Sequence, residues 1–80
     1  MNPKVYKNIK KIRELKNFTR EFMADKLKMS TSGYGKIERG EVDLTISKLV
    51  KIAIVLNVTV EFIYMFDVAL LFKNNNSKMH

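Results

Sequence analysis

Thr19–Gly40, TREFMADKLKMSTSGYGKIERG, decides how this chain folds. Two Ser/Thr positions divide it: Thr19 follows Phe18 and precedes Met23, and Ser30 follows Met29 and precedes Tyr34. This is the pattern of a helix start. The hydroxyl accepts a hydrogen bond from a free amide of the first turn, and the apolar residue before it packs on the fourth helical residue. Two short helices are therefore expected near 20–27 and 31–38, joined only by Lys28 to Ser30. So short a connection makes them cross steeply, and Ala24 is small enough to let their backbones approach.

The same start pattern recurs at Leu44-Thr45…Leu49 and Val58-Thr59…Ile63. Asn17, Gly40 and Asn57 stand where the chain leaves a helix through a left-handed residue, a conformation Gly and Asn tolerate best. Lys28 takes the same place at a cost of about 1 kcal/mol. These starts and stops predict an all-α fold of five helices, near 5–16, 20–27, 31–38, 46–56 and 60–72. The first buries Val5, Ile9, Ile12 and Leu15 and leaves Lys4, Lys7, Lys10, Lys11 and Lys16 in water; the fourth buries Leu49, Ile52, Ala53 and Leu56. Tyr34 and Ile37 face the core. Residues 1–72 form one domain, and the polar tail 73–80, KNNNSKMH, is expected to be disordered.

Composition narrows the function. The net charge of +7 is sorted along the chain: residues 1–40 hold 11 Lys/Arg against 4 Asp/Glu, and residues 41–80 hold four of each. A lysine-rich surface kept only for solubility has no reason to be sorted this way, so the first half is read as binding a polyanion. No apolar run reaches the roughly 18 residues of a membrane span, and no apolar stretch follows the N-terminal lysines as in a signal peptide. The absence of cysteine fits a cytoplasmic protein. Catalysis is not expected. His80 is the only histidine, and no carboxylate pair, phosphate-cradling loop, metal-ligand cluster or cofactor motif is present.

Stretch 19–40 resembles the helix-turn-helix of phage repressors of the lambda and Cro type, and Ile9 to Ile63 resembles the bacterial Xre-like family built on the same five-helix domain. Ala24-Asp25-Lys26, Ser32-Gly33-x-Gly35, Ile37-Glu38-x-Gly40 and Leu49…Ile52-Ala53…Leu56 carry the resemblance. It implies a double-stranded DNA-binding regulator whose third helix enters the major groove, with no cofactor or small-molecule ligand. Carried over position by position, Thr31, Ser32 and Lys36 contact base edges, and Gly33 and Gly35 let the helix backbone come close to DNA. The alternative for the glycines is that they are simply poor helix residues, each costing about 1 kcal/mol relative to alanine.

Lys10, Lys11, Arg13, Thr19, Arg20, Arg39, Thr45 and Lys48 are the phosphate contacts this resemblance implies. Arg13 and Glu38 match a pair that forms a salt bridge between the first and third helices of the family. Arg20 stands where the family most often has a glutamine that bonds phosphate and braces the third helix. The acidic loop Glu41-Val42-Asp43 departs from the pattern, since this loop often approaches the DNA backbone.

The fifth helix, apolar and extended, holds more apolar residues than a small core covers, from Val60 to Phe72: one face closes the core through Ile63 and Phe66, and the rest calls for a partner. The resemblance makes it a homodimer interface through Phe62, Met65, Phe66, Ala69 and Leu70. RNA polymerase is a further partner. The alternative is an antitoxin or interaction module of the same fold that binds a toxin. RNA binding is a weaker third reading, because no sheet carries stacking aromatics.

Overall fold

The computed structural model describes residues 1–67. They form five helices: α1 (Pro3–Leu15), α2 (Arg20–Lys26), α3 (Thr31–Glu38), α4 (Ile46–Leu56) and α5 (Val60–Met65). All four expected hydroxyl caps are made. Thr19, Ser30, Thr45 and Thr59 accept from the amides of Phe22, Gly33, Lys48 and Phe62 at 2.9–3.1 Å. Asn17, Lys28, Gly40 and Asn57 have φ of 60°, 57°, 70° and 58°, so each helix from α1 to α4 ends or turns through a left-handed residue.

One core unites the helices. Ile9 and Ile12 of α1, Met23 and Ala24 of α2, Tyr34 and Ile37 of α3, and Leu49, Ile52, Ala53 and Leu56 of α4 are buried around Ile63 of α5. The Met29 amide reaches back to the Ala24 carbonyl at 3.0 Å, which closes the α2–α3 turn. Gly40 serves the α3–α4 connection twice. Its φ of 70° suits glycine, and a Cβ there would lie 3.2 Å from the Tyr6 ring. Tyr6 in turn donates its hydroxyl to the Val42 carbonyl at 3.3 Å, tying the loop to α1.

Three expectations change. α1 begins at Pro3, not at residue 5, because Asn2 accepts from the Lys4 amide at 2.9 Å and Pro3 takes the first turn. Leu15 is 61% exposed, because the chain leaves α1 there, beyond the core. α5 ends at Met65, not at residue 72. Phe66 is extended, with φ −61° and ψ 130°, and its ring is buried beside Phe62 at a centroid distance of 5.6 Å. The buried Asn8 amide donates to the Ile63 carbonyl at 2.7 Å, satisfying a carbonyl that the end of the helix leaves without an internal partner. The rest of the expected fifth helix, and the 73–80 tail, lie outside the described residues.

Among the described residues, Lys28 is the one lysine forced into a left-handed turn. Lys28→Gly should raise the urea unfolding free energy by about 1 kcal/mol, since relief of a 1–2 kcal/mol backbone cost outweighs the added freedom of the unfolded chain. An unchanged or lower midpoint would show that the side chain compensates for its backbone.

Candidate nucleic-acid interface

The orientation of α3 is set by a buried carboxylate. Glu38 is 5% exposed and accepts from Arg13 through two bonds, Nε to Oε2 at 2.6 Å and Nη2 to Oε1 at 3.2 Å. Arg20 Nε donates to the same Oε1 at 3.1 Å. Arg13 Nη1 donates to the Phe18 carbonyl at 2.8 Å. One side chain of α3 is thus held by α1 and by the first turn of α2. Burial opposes the charge on Glu38, but the hydrogen bonds from Arg13 and Arg20, with the Tyr34 hydroxyl close by, outweigh it and hold the carboxyl below its ordinary value of 4.5. The Glu38 hydrogen bond raises the Arg13 guanidinium in turn, against its own burial. The fully buried Tyr34 hydroxyl makes no hydrogen bond of good geometry. Burial first, then the adjacent Glu38, push its phenol well above the usual range, so it stays neutral.

Arg13 is therefore not available to a phosphate, contrary to expectation. Its side chain is 9% exposed and every nitrogen has an internal acceptor. Arg20 does brace α3, as an ion pair in place of a neutral amide. Its side chain is 42% exposed, and its terminal nitrogens make no bond to any described residue.

With Tyr34, Ile37 and Glu38 turned inward, Ser32 and Lys36 lie on the opposite face of α3 and Thr31 stands in its first turn, all three exposed. Two shallow concavities flank it. Lys7, Lys10, Lys11 and Arg39 line the one towards α1, with Asp43 at its edge. Lys36, Thr45 and Lys48 line the one towards α4, beside Gly33 and again Asp43. The structure thus gathers the expected residues Lys10, Lys11 and Arg39 on one flank, and Thr45 and Lys48 on the other. Thr19, at the start of α2, is exposed. Lys7 was missed because position alone makes it one of five lysines on a solvated helix face.

Neither helical glycine leaves bare backbone, which corrects the expected close approach. Gly35 is buried, and a Cβ there would lie 3.0 Å from Arg39 Nη1. Gly33 is half-buried, and a Cβ there would lie 3.0 Å from the Ser30 hydroxyl and 3.4 Å from Met29 Cε. Their space is used by neighbouring side chains of the same chain.

The apolar surface also differs from expectation. Phe66 is 6% exposed and closes the core with Ile63, as expected, so it is not exposed for pairing; Phe62 and Met65 are 44% and 73% exposed. Ala69 and Leu70 lie outside the described residues. A second apolar stripe, unforeseen, runs along α4 through Ile46, Val50 and Ile54. Spacing of four residues was its sequence signal. Among the described residues no cluster of His, Cys, Asp or Glu could hold a metal, and no helix is long and apolar enough to cross a membrane.

A family model described as helix-turn-helix matches residues 9–63, from the middle of α1 to α5. No curated protein and no solved structure matches the chain.

Because Glu38 titrates below its ordinary value in the folded state, its contribution to stability is complete above pH 4.5 and is lost as the pH falls from there through the lower folded value. Glu38→Gln should cost about 3 kcal/mol in urea unfolding at neutral pH, by leaving Arg13 buried without its counter-charge. The variant's stability should also depend less on pH in the acid range. An acid dependence equal to that of the parent chain would place the titrating group elsewhere.

Proposed function

Because the chain belongs to the Xre/Cro/lambda-repressor-like helix-turn-helix family of DNA-binding regulators, we propose that it occupies a double-stranded operator as a homodimer, with α3 in the major groove. One observation carries the reading: the exposed face of α3, clamped from behind by Glu38, lies between two lysine-bearing concavities. Thr31 and Ser32 supply hydroxyls that donate or accept at base edges, and the Thr31 methyl packs on thymine. Lys36 donates to guanine or to phosphate.

Lys10 and Lys11 hold the DNA backbone on one flank; Lys48 and the free amides at the start of α4, beside Thr45, hold it on the other. Arg20 reaches a phosphate with its terminal nitrogens while its Nε braces α3, and Thr19 lies beside it. Phosphate contacts of this kind set register and orientation, and the few groups on α3 read the sequence. No catalytic step is part of this reading. The protein acts in the cytoplasm by blocking or touching RNA polymerase at the operator.

Two-fold pairing through α5 joins Phe62 and Met65 of two copies and continues into the segment that holds Ala69 and Leu70. It sets two α3 helices one DNA turn apart, so an operator of two half-sites follows. The unforeseen stripe Ile46, Val50 and Ile54 favours a second reading, in which a partner protein such as a toxin covers apolar surface that the α5 pairing does not use. The mass of the chain purified from its host separates the two: a stable dimer of this chain alone excludes an obligate partner.

The function is tested by selecting sites from random duplex DNA and measuring affinity for the selected site against salt. A dimer neutralising about 8 phosphates gives a log–log slope of about −7. Exchange of Thr31 and Ser32 for other polar residues should change which site is preferred. Salt-independent binding, or equal weakening on all sequences after the exchange, contradicts the reading.

A further inference from the structure

Arg39 does not project freely from the end of α3. It is the C-cap residue, and its side chain folds back one turn over Gly35, where a Cβ would meet Nη1 at 3.0 Å and Cζ at 3.8 Å. Its Nε donates to Glu41 Oε2, in the loop that follows. On the α-helical repeat, position 39 falls two turns from Ser32 and beside Lys36, on the exposed side of the helix. The guanidinium thus lies over Gly35, where the exposed face of α3 meets the flank towards α1, beside residues that the proposed function assigns to base edges.

The ion pair changes what Arg39 can do. A cation already matched by a carboxylate gains little from a polyanion through charge alone. What remains directional is the pair of terminal nitrogens, Nη1 and Nη2, which make no hydrogen bond to any described residue. Glu41 holds the side chain from its inner nitrogen and so fixes the plane in which those two donors lie. This restraint removes side-chain freedom before any ligand arrives, which is the condition for selective bidentate recognition.

We infer that Arg39 is a base-reading residue, presenting Nη1 and Nη2 to O6 and N7 of a guanine in the major groove, with Glu41 as its positioning residue and Gly35 as its seat. The inference rests on the DNA-binding reading above and adds a specificity determinant to it. It accounts for two features at once. Glycine at position 35 leaves the seat open inside a helix, where a methyl group would occupy it. An acidic residue stands at position 41, beside the interface, because its charge is matched by Arg39, whose hydrogen bond holds the Glu41 carboxyl below the ordinary carboxylate range and so keeps it ionised. Lysine at position 39 keeps the charge but has no planar fork, so it could not replace the arginine.

The test is site selection by the parent chain, followed by affinities for all four bases at each position of the selected site, for the parent chain and for Arg39→Lys, Glu41→Gln and Gly35→Ala. The expected parent site holds a fixed guanine in each half. Arg39→Lys should lose about tenfold or more of the discrimination at that guanine and leave the other positions unchanged. Glu41→Gln should lose part of it at the same position while binding random DNA more tightly, because a negative charge has gone. Gly35→Ala should also lose part of it, with a higher unfolding midpoint, since alanine favours the helix and displaces only the end of a flexible side chain. Uniform weakening at every base by Arg39→Lys, with an altered salt slope, would make Arg39 a phosphate contact and overturn the inference. Unchanged discrimination in all three variants would overturn it as well. A parent chain that selects no site at all would refute the DNA-binding reading itself, a result distinct from either of these.

Discussion

A single buried carboxylate sets the geometry on which the rest of this structure depends. Glu38 is the last residue of α3, and it accepts hydrogen bonds from Arg13 of α1 and Arg20 of α2. Burying a charge is costly, and burial alone would push Glu38 towards neutrality. The bonds from Arg13 and Arg20 reverse the outcome and leave it ionised. Such a group stabilises little relative to a well-packed apolar substitute, but it is costly to break. Its value here lies in direction: α3 is only eight residues long, and a helix of that length has no stable orientation of its own.

Once α3 is fixed, the roles of its residues separate. Tyr34, Ile37 and Glu38 belong to the interior, and Thr31, Ser32 and Lys36 face outward. The cations around α3 then fall into two kinds. Arg13 and, in part, Arg20 serve the interior, whereas Lys7, Lys10, Lys11 and Arg39 form one flank of the outer face and Lys48 the other. The sorted charge of the sequence is therefore not a uniform basic surface. The same rule of internal satisfaction governs α5, whose end is held by the buried Asn8 amide and whose last ring, Phe66, turns into the core.

Legibility in the sequence followed the range of the interactions. Helix starts were readable because a hydroxyl cap involves residues three apart, and each of the four caps read from the sequence is present. Left-handed ends were readable for the same reason, Lys28 included. The missed start of α1 was also local: Asn2 before Pro3 is a capping signal in plain view. What could not be read was set by contacts across the chain. Nothing in the pattern of α5 says that Asn8, fifty-five residues away, will close it at Met65. Nor does the spacing of Gly35 and Arg39 reveal that one makes room for the other, since the result depends on Glu41 drawing the guanidinium back. The Arg13–Glu38 pair was legible only through family resemblance, for charges twenty-five residues apart carry no local sign of their partnership.

The most direct test of the account is to map backbone amide chemical shifts while the protein is titrated with a duplex carrying its selected site. A rigid α3 clamped by Glu38 and facing DNA predicts the largest shifts at residues 31–36 and in the first turns of α2 and α4, with the fold of the core unchanged. Shifts concentrated on the exposed residues of α5 or on the Ile46–Ile54 stripe of α4, with α3 unaffected, would contradict it.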